Sequence, residues 1–223
     1  MKNVNNNYHL LDKNNWSRKE HFEFYQKFEQ PYFNVCCDLN AESLHIYCKQ
    51  NDISFFNAYF YLLMKAVNQI EVFKYRIVNN QVRVYDQISI GATQMADNQT
   101  FRFSVIPFES NFNDFQKSGN QVKENAIQAN FMSELAIKNQ DIINTVYATV
   151  IPWISFTGFS HASHSRDERA IPRFVFGKMR DSDFSMPFSV EVHHALVDGV
   201  HVGELVQTIQ GYFDQPELSF LSN

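Results

Sequence analysis

A chain of 223 residues with 19 Lys+Arg against 24 Asp+Glu carries a net charge of −5, and no basic stripe marks it for nucleic acid or an anionic membrane. Aromatics make up 15 % of it, 22 of them Phe, enough to fill a large core and still line a pocket; only 7 Gly and 6 Pro exclude long low-complexity segments. Cys36, Cys37 and Cys48 form no Cys-x-x-Cys pair, and the polar start MKNVNNNYHLLDKNNW lacks an apolar signal core. No apolar run reaches the roughly 20 residues of a bilayer span, so the expectation is a reduced, cytoplasmic, single-domain protein over residues 1–223.

In chain order, Phe22, Tyr25 and Phe28 recur at helical spacing and predict a helix from Ser17 to about Phe28. A strand follows at Tyr32–Leu39, then Asn40 as N-cap of a helix over Ala41–Lys49 and Ser54 as N-cap of a buried one over Phe55–Ile70. Asn79-Asn80 joins strands at Lys74–Val78 and Gln81–Tyr85 into a hairpin, because asparagine tolerates positive φ. Gln87–Thr93 and Thr100–Pro107 read as two more strands, and Asn113 to about Lys138 as a helix with a break near Ser118-Gly119. Thr145–Phe156, interrupted at Pro152-Trp153, is a bent strand or a strand pair, and Ser160–Arg169 an exposed polar loop. Strands at Phe174–Lys178 and Met186–His193 precede a last helix from Val200 to Tyr212. Irregular alternation with hairpins fits a mixed sheet covered by helices better than a doubly wound parallel one.

The most informative run is His193-His-Ala-Leu-Val-Asp198-Gly199, between the last strand and the last helix. Strand alternation puts Phe188, Val190, Val192 and His194 on one apolar, buried row, and Ser189, Glu191 and His193 on a polar one. Three readings compete. Asp198 is a good N-cap, so the pair is accounted for by structure alone. A metal site of His193, His194, Asp198 and His201 is disfavoured, because neighbours on a strand face opposite ways. The third reading is a general base, His194, with a supporting carboxylate. His161-x-x-His164 lacks a third metal ligand, and there is no phosphate loop, nucleophile elbow or Cys/His dyad.

The run His-His-x-x-x-Asp-Gly resembles the signature of coenzyme A-dependent acyltransferases. Trp16 to Tyr25 resembles the Trp-x-Arg-x-x-His-Phe-x-Phe-Tyr stretch of chloramphenicol acetyltransferases, and Pro152-Trp153 stands some forty residues before the histidine motif, as in that family. The resemblance implies an α/β fold in the broad sense, an α+β two-layer sandwich, and an O-acetyltransferase that uses acetyl-CoA as co-substrate and no metal. It implies a homotrimer with the active site at a subunit interface. By the same resemblance His194 is the base, Asp198 pairs with Arg18, and Thr149 takes the place of the serine that hydrogen-bonds the oxyanion. Phe24, Tyr25, Phe33, Phe159 and Trp153 are the implied substrate-binding residues. Three positions depart from the family pattern: Val175 replaces a hydroxyl, and His161 and Arg173 stand where apolar residues are usual. Those departures motivate one rival, an acyltransferase for another small alcohol, and Thr149 with Val175 motivates a second, a binding protein without turnover.

Overall fold

The computed structural model describes residues 6–131, 133, 142–162 and 169–221. Among the described residues nine strands form two sheets. A small antiparallel one has the order β1 (Tyr8–Leu10), β4 (Gln81–Tyr85), β3 (Tyr75–Val78). The large one runs β2 (Tyr32–Asn40), β9 (Ser185–His193), β8 (Arg173–Gly177), β7 (Thr145–Ile151), β5 (Ser89–Met95), β6 (Phe101–Ile106). Its β8–β7 and β7–β5 pairs are parallel and the rest antiparallel, so the expected mixed sheet is what the chain forms. The helices are α1 (Lys19–Tyr25), α2 (Glu42–Gln50), α3 (Phe55–Gln69), α4 (Phe112–Gln128), α5 (Gly199–Asp214) and α6 (Pro216–Ser219).

Helix α3 explains how the sheet is covered. It is apolar on nearly every face, as a helix sandwiched in a core must be, and Ala58–Met64, Ala66 and Val67 are all buried. Tyr59 and Phe60 pack on Phe176 of β8. Lys65 interrupts the run, and its ammonium donates to the Ser219 carbonyl at 2.8 Å. Ser54 caps the helix as expected, accepting from the Asn57 amide. Asn79 and Asn80 both take positive φ, 50° and 60°, the backbone that a two-residue hairpin turn requires.

Several boundaries differ from the expectation. Helix α1 is shorter at both ends, and the strands at Gln87–Thr93 and Thr100–Pro107 occupy Ser89–Met95 and Phe101–Ile106. Asn40 sits one residue before the true N-cap, Ala41, although its carboxamide still accepts from the Glu42 amide at 3.0 Å. Helix α4 starts at Phe112, capped by Asn111, and passes Gly119 without a break, because that glycine is buried facing Ile106. Of the stretch expected to continue the helix, residues 132 and 134–141 lie outside the described residues, as do 163–168 of the polar loop. The bent strand stops at Ile151, where Pro152-Trp153 makes a turn. The short strand β1 and helix α6 have no counterpart in the sequence-based expectation.

One buried cation ties the two sheets together. Arg76 of β3 has no solvent exposure and donates to four carbonyls, those of Phe73, Tyr75, Ile143 and Thr145, at 2.5–3.0 Å. Burial pulls its guanidinium down to about 10, against the opposing influence of Tyr32, Tyr85 and Tyr147. The Thr145 carbonyl belongs to the first residue of β7 and the Ile143 carbonyl lies two residues before it, so the small sheet fixes where that strand begins.

Candidate active site

The strand that delivers the histidine pair ends at His193 as expected, so the alternation does not reach His194. β9 is buried along both faces and stops at His193, and His194 lies in the turn beyond it. The expectation that His194 closes a buried apolar row is therefore wrong. His194 is half-buried, and it is His193 that is buried, with Nδ1 accepting from the Ala195 amide at 3.1 Å and its ring edge-on to Tyr32. The His194 amide donates to the Pro31 carbonyl at 2.8 Å, which holds the turn against the start of β2.

Asp198 occupies the N-cap of α5, and its carboxylate forms an ion pair with Arg18. Arg18 stands at the N-cap of α1, where neighbouring Trp16 packs edge-on against Phe22 and Tyr75. Its other terminal nitrogen donates to the His194 carbonyl at 3.1 Å, so one guanidinium grips both ends of the turn. The Arg18 side chain is 13 % exposed, and burial lowers its pKa while Tyr25 opposes that shift. Nδ1 of His194 lies 3.2 Å from the second Asp198 oxygen, but off the ring N–H axis, so the contact acts through charge. His201, one turn into α5, accepts from the Asp198 amide through Nδ1 at 2.9 Å. Burial and then the Arg18 charge lower the His201 pKa, partly opposed by Glu204.

Two aromatic rings fix the His194 plane. Tyr25 stacks on it with centroids 4.1 Å apart and planes 7° from parallel, and Phe33 leans against it at 4.6 Å. Phe24, which contacts Tyr25 at 5.1 Å, is 56 % exposed at the edge of this group. His194, Asp198, Arg18, Tyr25, Phe33 and Phe24 therefore converge. The remaining expected residues do not join them. Thr149, Val175 and Ser189 form one row of Cα partners across β7, β8 and β9, and His193 lies four residues beyond Ser189. Thr149 is thus about 13 Å along the strands and about 10 Å across them from the end of β9. Trp153, beyond β7, is 68 % exposed, and Phe159 packs edge-on against His161.

Alternation missed a cluster on the same sheet face. Asn34, Glu191, Arg173 and Tyr147 are consecutive cross-strand partners and so share that face with Thr149 and Val175. Arg173 Nη1 donates to Glu191 Oε1 at 2.6 Å, with its guanidinium 4.8 Å above the Tyr32 ring. His161 Nδ1 stands 3.5 Å from Glu191 Oε2. Burial raises the Glu191 pKa, but His161 and Arg173 outweigh it and hold the carboxyl below its usual range. His161 and Arg173 thus meet at a buried carboxylate, and neither belongs to a solvated loop. The signal available in the sequence was the row Ser189, Glu191, His193, a polar run on a strand with no solvent-facing side. Glu191, His161, Tyr32, His193 and Phe28 line a cavity of about 1470 Å³. His164 lies outside the described residues, and among the described residues no three His, Cys, Asp or Glu side chains are grouped to hold a metal ion.

A family model described as chloramphenicol acetyltransferase matches residues 6–210. The chloramphenicol acetyltransferase of Proteus mirabilis is 30 % identical over 211 residues, covering 92 % of this chain and 94 % of that protein. Chloramphenicol acetyltransferase 2 of Haemophilus influenzae is 26 % identical over 209 residues, covering 92 % and 96 %. Among solved structures, a chloramphenicol acetyltransferase superposes with a TM-score of 0.84 at 22 % identity, over 93 % of this chain and all of that one. A probable dihydrolipoamide acetyltransferase from Listeria monocytogenes superposes at 0.64 and 13 % identity, over 88 % and 89 %. These two structures share the fold.

Proposed function

The chain belongs to the chloramphenicol acetyltransferase family and so to the acyltransferases, and from that membership we propose that it moves acetyl from acetyl-CoA to a hydroxyl of a small acceptor such as chloramphenicol. His194 is the general base. The Asp198 carboxylate beside Nδ1 favours the tautomer with its proton there, which leaves Nε2 free to accept. Nε2 takes the acceptor's O–H proton as that oxygen attacks the thioester carbonyl carbon. The tetrahedral adduct collapses by breaking the C–S bond, and the imidazolium returns the proton to the departing thiolate. The products are an acetyl ester and free CoA thiol. General-base help of this kind is worth about 10²–10⁴-fold.

Arg18 and Asp198 shape the turn and carry no proton in this scheme. Tyr25 and Phe33 hold the imidazole, and Phe24, Phe159 and Trp153 supply apolar surface for acceptor and coenzyme. Thr149 donates its hydroxyl to the oxyanion. Its distance from His194 within one chain supports an assembly, read as a homotrimer, in which Thr149 of one subunit faces His194 of the next. The described helices include none long and apolar enough to cross a membrane. We place the protein in the cytoplasm, where acetyl-CoA is made and where Cys36, Cys37 and Cys48 stay reduced.

The observation that carries the reading is the stacked, charge-flanked His194 beside the Arg18–Asp198 pair. The test is thiol release from acetyl-CoA with chloramphenicol as acceptor, for the wild type and for His194→Ala. Turnover that drops about 10²-fold or more in the variant supports it. Thiol release only with other alcohols moves the acceptor and keeps the chemistry, and chloramphenicol binding without turnover on any alcohol refutes it.

A further inference from the structure

Both ring nitrogens of His161 are buried without a hydrogen-bond partner among the described residues, and the side chain is only 14 % exposed. An orphaned buried polar group destabilises the fold. A site with no use for the imidazole would be more stable with leucine there. The Glu191 carboxylate is equally underused: Arg173 holds Oε1 at 2.6 Å, while Oε2 has the His161 ring at 3.5 Å, too far for a good hydrogen bond. The carboxylate is 10 % exposed and Arg173 is 7 % exposed. The two are held rigid by their mutual bond and by the Tyr32 ring under the guanidinium. Phe159 fixes the His161 ring from its edge. A preorganised acceptor and an imidazole without a good hydrogen-bond partner thus line the cavity of about 1470 Å³, which exceeds the few hundred Å³ a small ligand needs.

The charges select the class of occupant. On the cavity wall Lys13, Lys27 and Arg169 balance Glu23, Glu29 and Glu191. An anion meets the Glu191 carboxylate, and a cation meets a carboxylate already neutralised by Arg173. An uncharged ligand avoids both costs. A hydroxyl donates and accepts at once, so adjacent hydroxyls satisfy Glu191 Oε2 and a His161 nitrogen together. We propose that Glu191 and His161, with Arg173 as the residue that positions Glu191, form a binding site for an uncharged, hydroxyl-rich small molecule that is an acceptor of the acetyl group. The word acceptor rests on the acetyl-transfer reading; the binding site does not.

The test is calorimetric titration with 4-nitrophenyl β-D-glucoside and, as the hydroxyl-free control, 4-nitroanisole. The wild type is expected to bind the glucoside saturably and more tightly than the anisole. His161→Leu is expected to bind the glucoside about tenfold more weakly, the loss of one good hydrogen bond, while melting no lower than the wild type. Because E191L alone strands the buried Arg173 charge, R173L/E191L replaces it, with the same expected loss. No saturable glucoside binding by the wild type, or equal affinity in wild type and both variants, overturns the proposal. Thiol release by His194→Ala equal to the wild type overturns the acetyl-transfer reading alone, since binding of the glucoside is read without turnover.

Discussion

The imidazole of His194 lies parallel to the Tyr25 ring, 7° from coplanar and 4.1 Å away, so the ring that accepts a proton in the proposed reaction has one orientation before any substrate arrives. Aromatic pairs of this kind are worth about 0.5–1.5 kcal/mol beyond their burial. Tyr25→Phe keeps the stack and is expected to leave kcat near the wild-type value. Tyr25→Ala frees the ring and is expected to lower kcat about three- to tenfold with a smaller change in KM. Steady-state thiol release measures both, and a kcat unchanged in the alanine variant counts against an orienting stack.

Arg18 and Asp198 are expected to behave as a unit. Removing one leaves a charge largely out of water, at a cost of about 2–3 kcal/mol, at or below the roughly 3–5 kcal/mol of fully buried pairs because Asp198 is 30 % exposed. Arg18→Met and Asp198→Ala should each lower the urea midpoint. The double variant should fall well short of the sum, a coupling that a double-mutant cycle reads directly. Additive losses would mean that the two charges are solvated separately.

The expected loss of stability at acid pH has an identifiable contributor in His201. Its folded pKa lies below the unfolded value of about 6.5, because burial and Arg18 disfavour the imidazolium. Between the folded and unfolded values the unfolded chain binds more protons, so the contribution is complete above about pH 6.5 and is lost as pH falls through that window. In His201→Asn the amide oxygen retains an acceptor for the Asp198 amide but does not titrate. Melting temperature against pH should be flatter below about 6.5 in this variant than in the wild type. Parallel curves would assign the slope to other groups.

How far the chain could be read without coordinates depended on whether a feature was local. Asn79-Asn80 announced its turn because positive φ is an intrinsic tolerance of asparagine, and Ser54 announced its helix because capping needs only the next three residues. The Arg18–Asp198 pair, 180 residues apart, was legible only through family resemblance. His194 was misplaced because the period-two alternation was carried one residue past the end of the strand, into a turn where it no longer applies. Glu191 was passed over because alternation reads a polar row as solvent-facing, and only the register of β8 and β9 puts Arg173 opposite it. The same register separates Thr149 from the base.

Thr149 carries a prediction of its own. Thr149→Ser keeps the hydroxyl and is expected to retain most of kcat. Thr149→Val keeps the shape and is expected to lose about 10²–10³-fold, the usual cost of deleting an oxyanion donor. A valine variant as active as the wild type would remove Thr149 from the chemistry.

The row of cross-strand partners that holds Thr149 two strands away from β9 also has a genetic consequence. If each reaction centre draws its base from one polypeptide and its oxyanion donor from another, a defect in either residue is not private to the copy that carries it. Two dead alleles, His194→Ala and Thr149→Val, expressed together should complement each other, since mixed assemblies contain junctions where the intact half of one meets the intact half of the other.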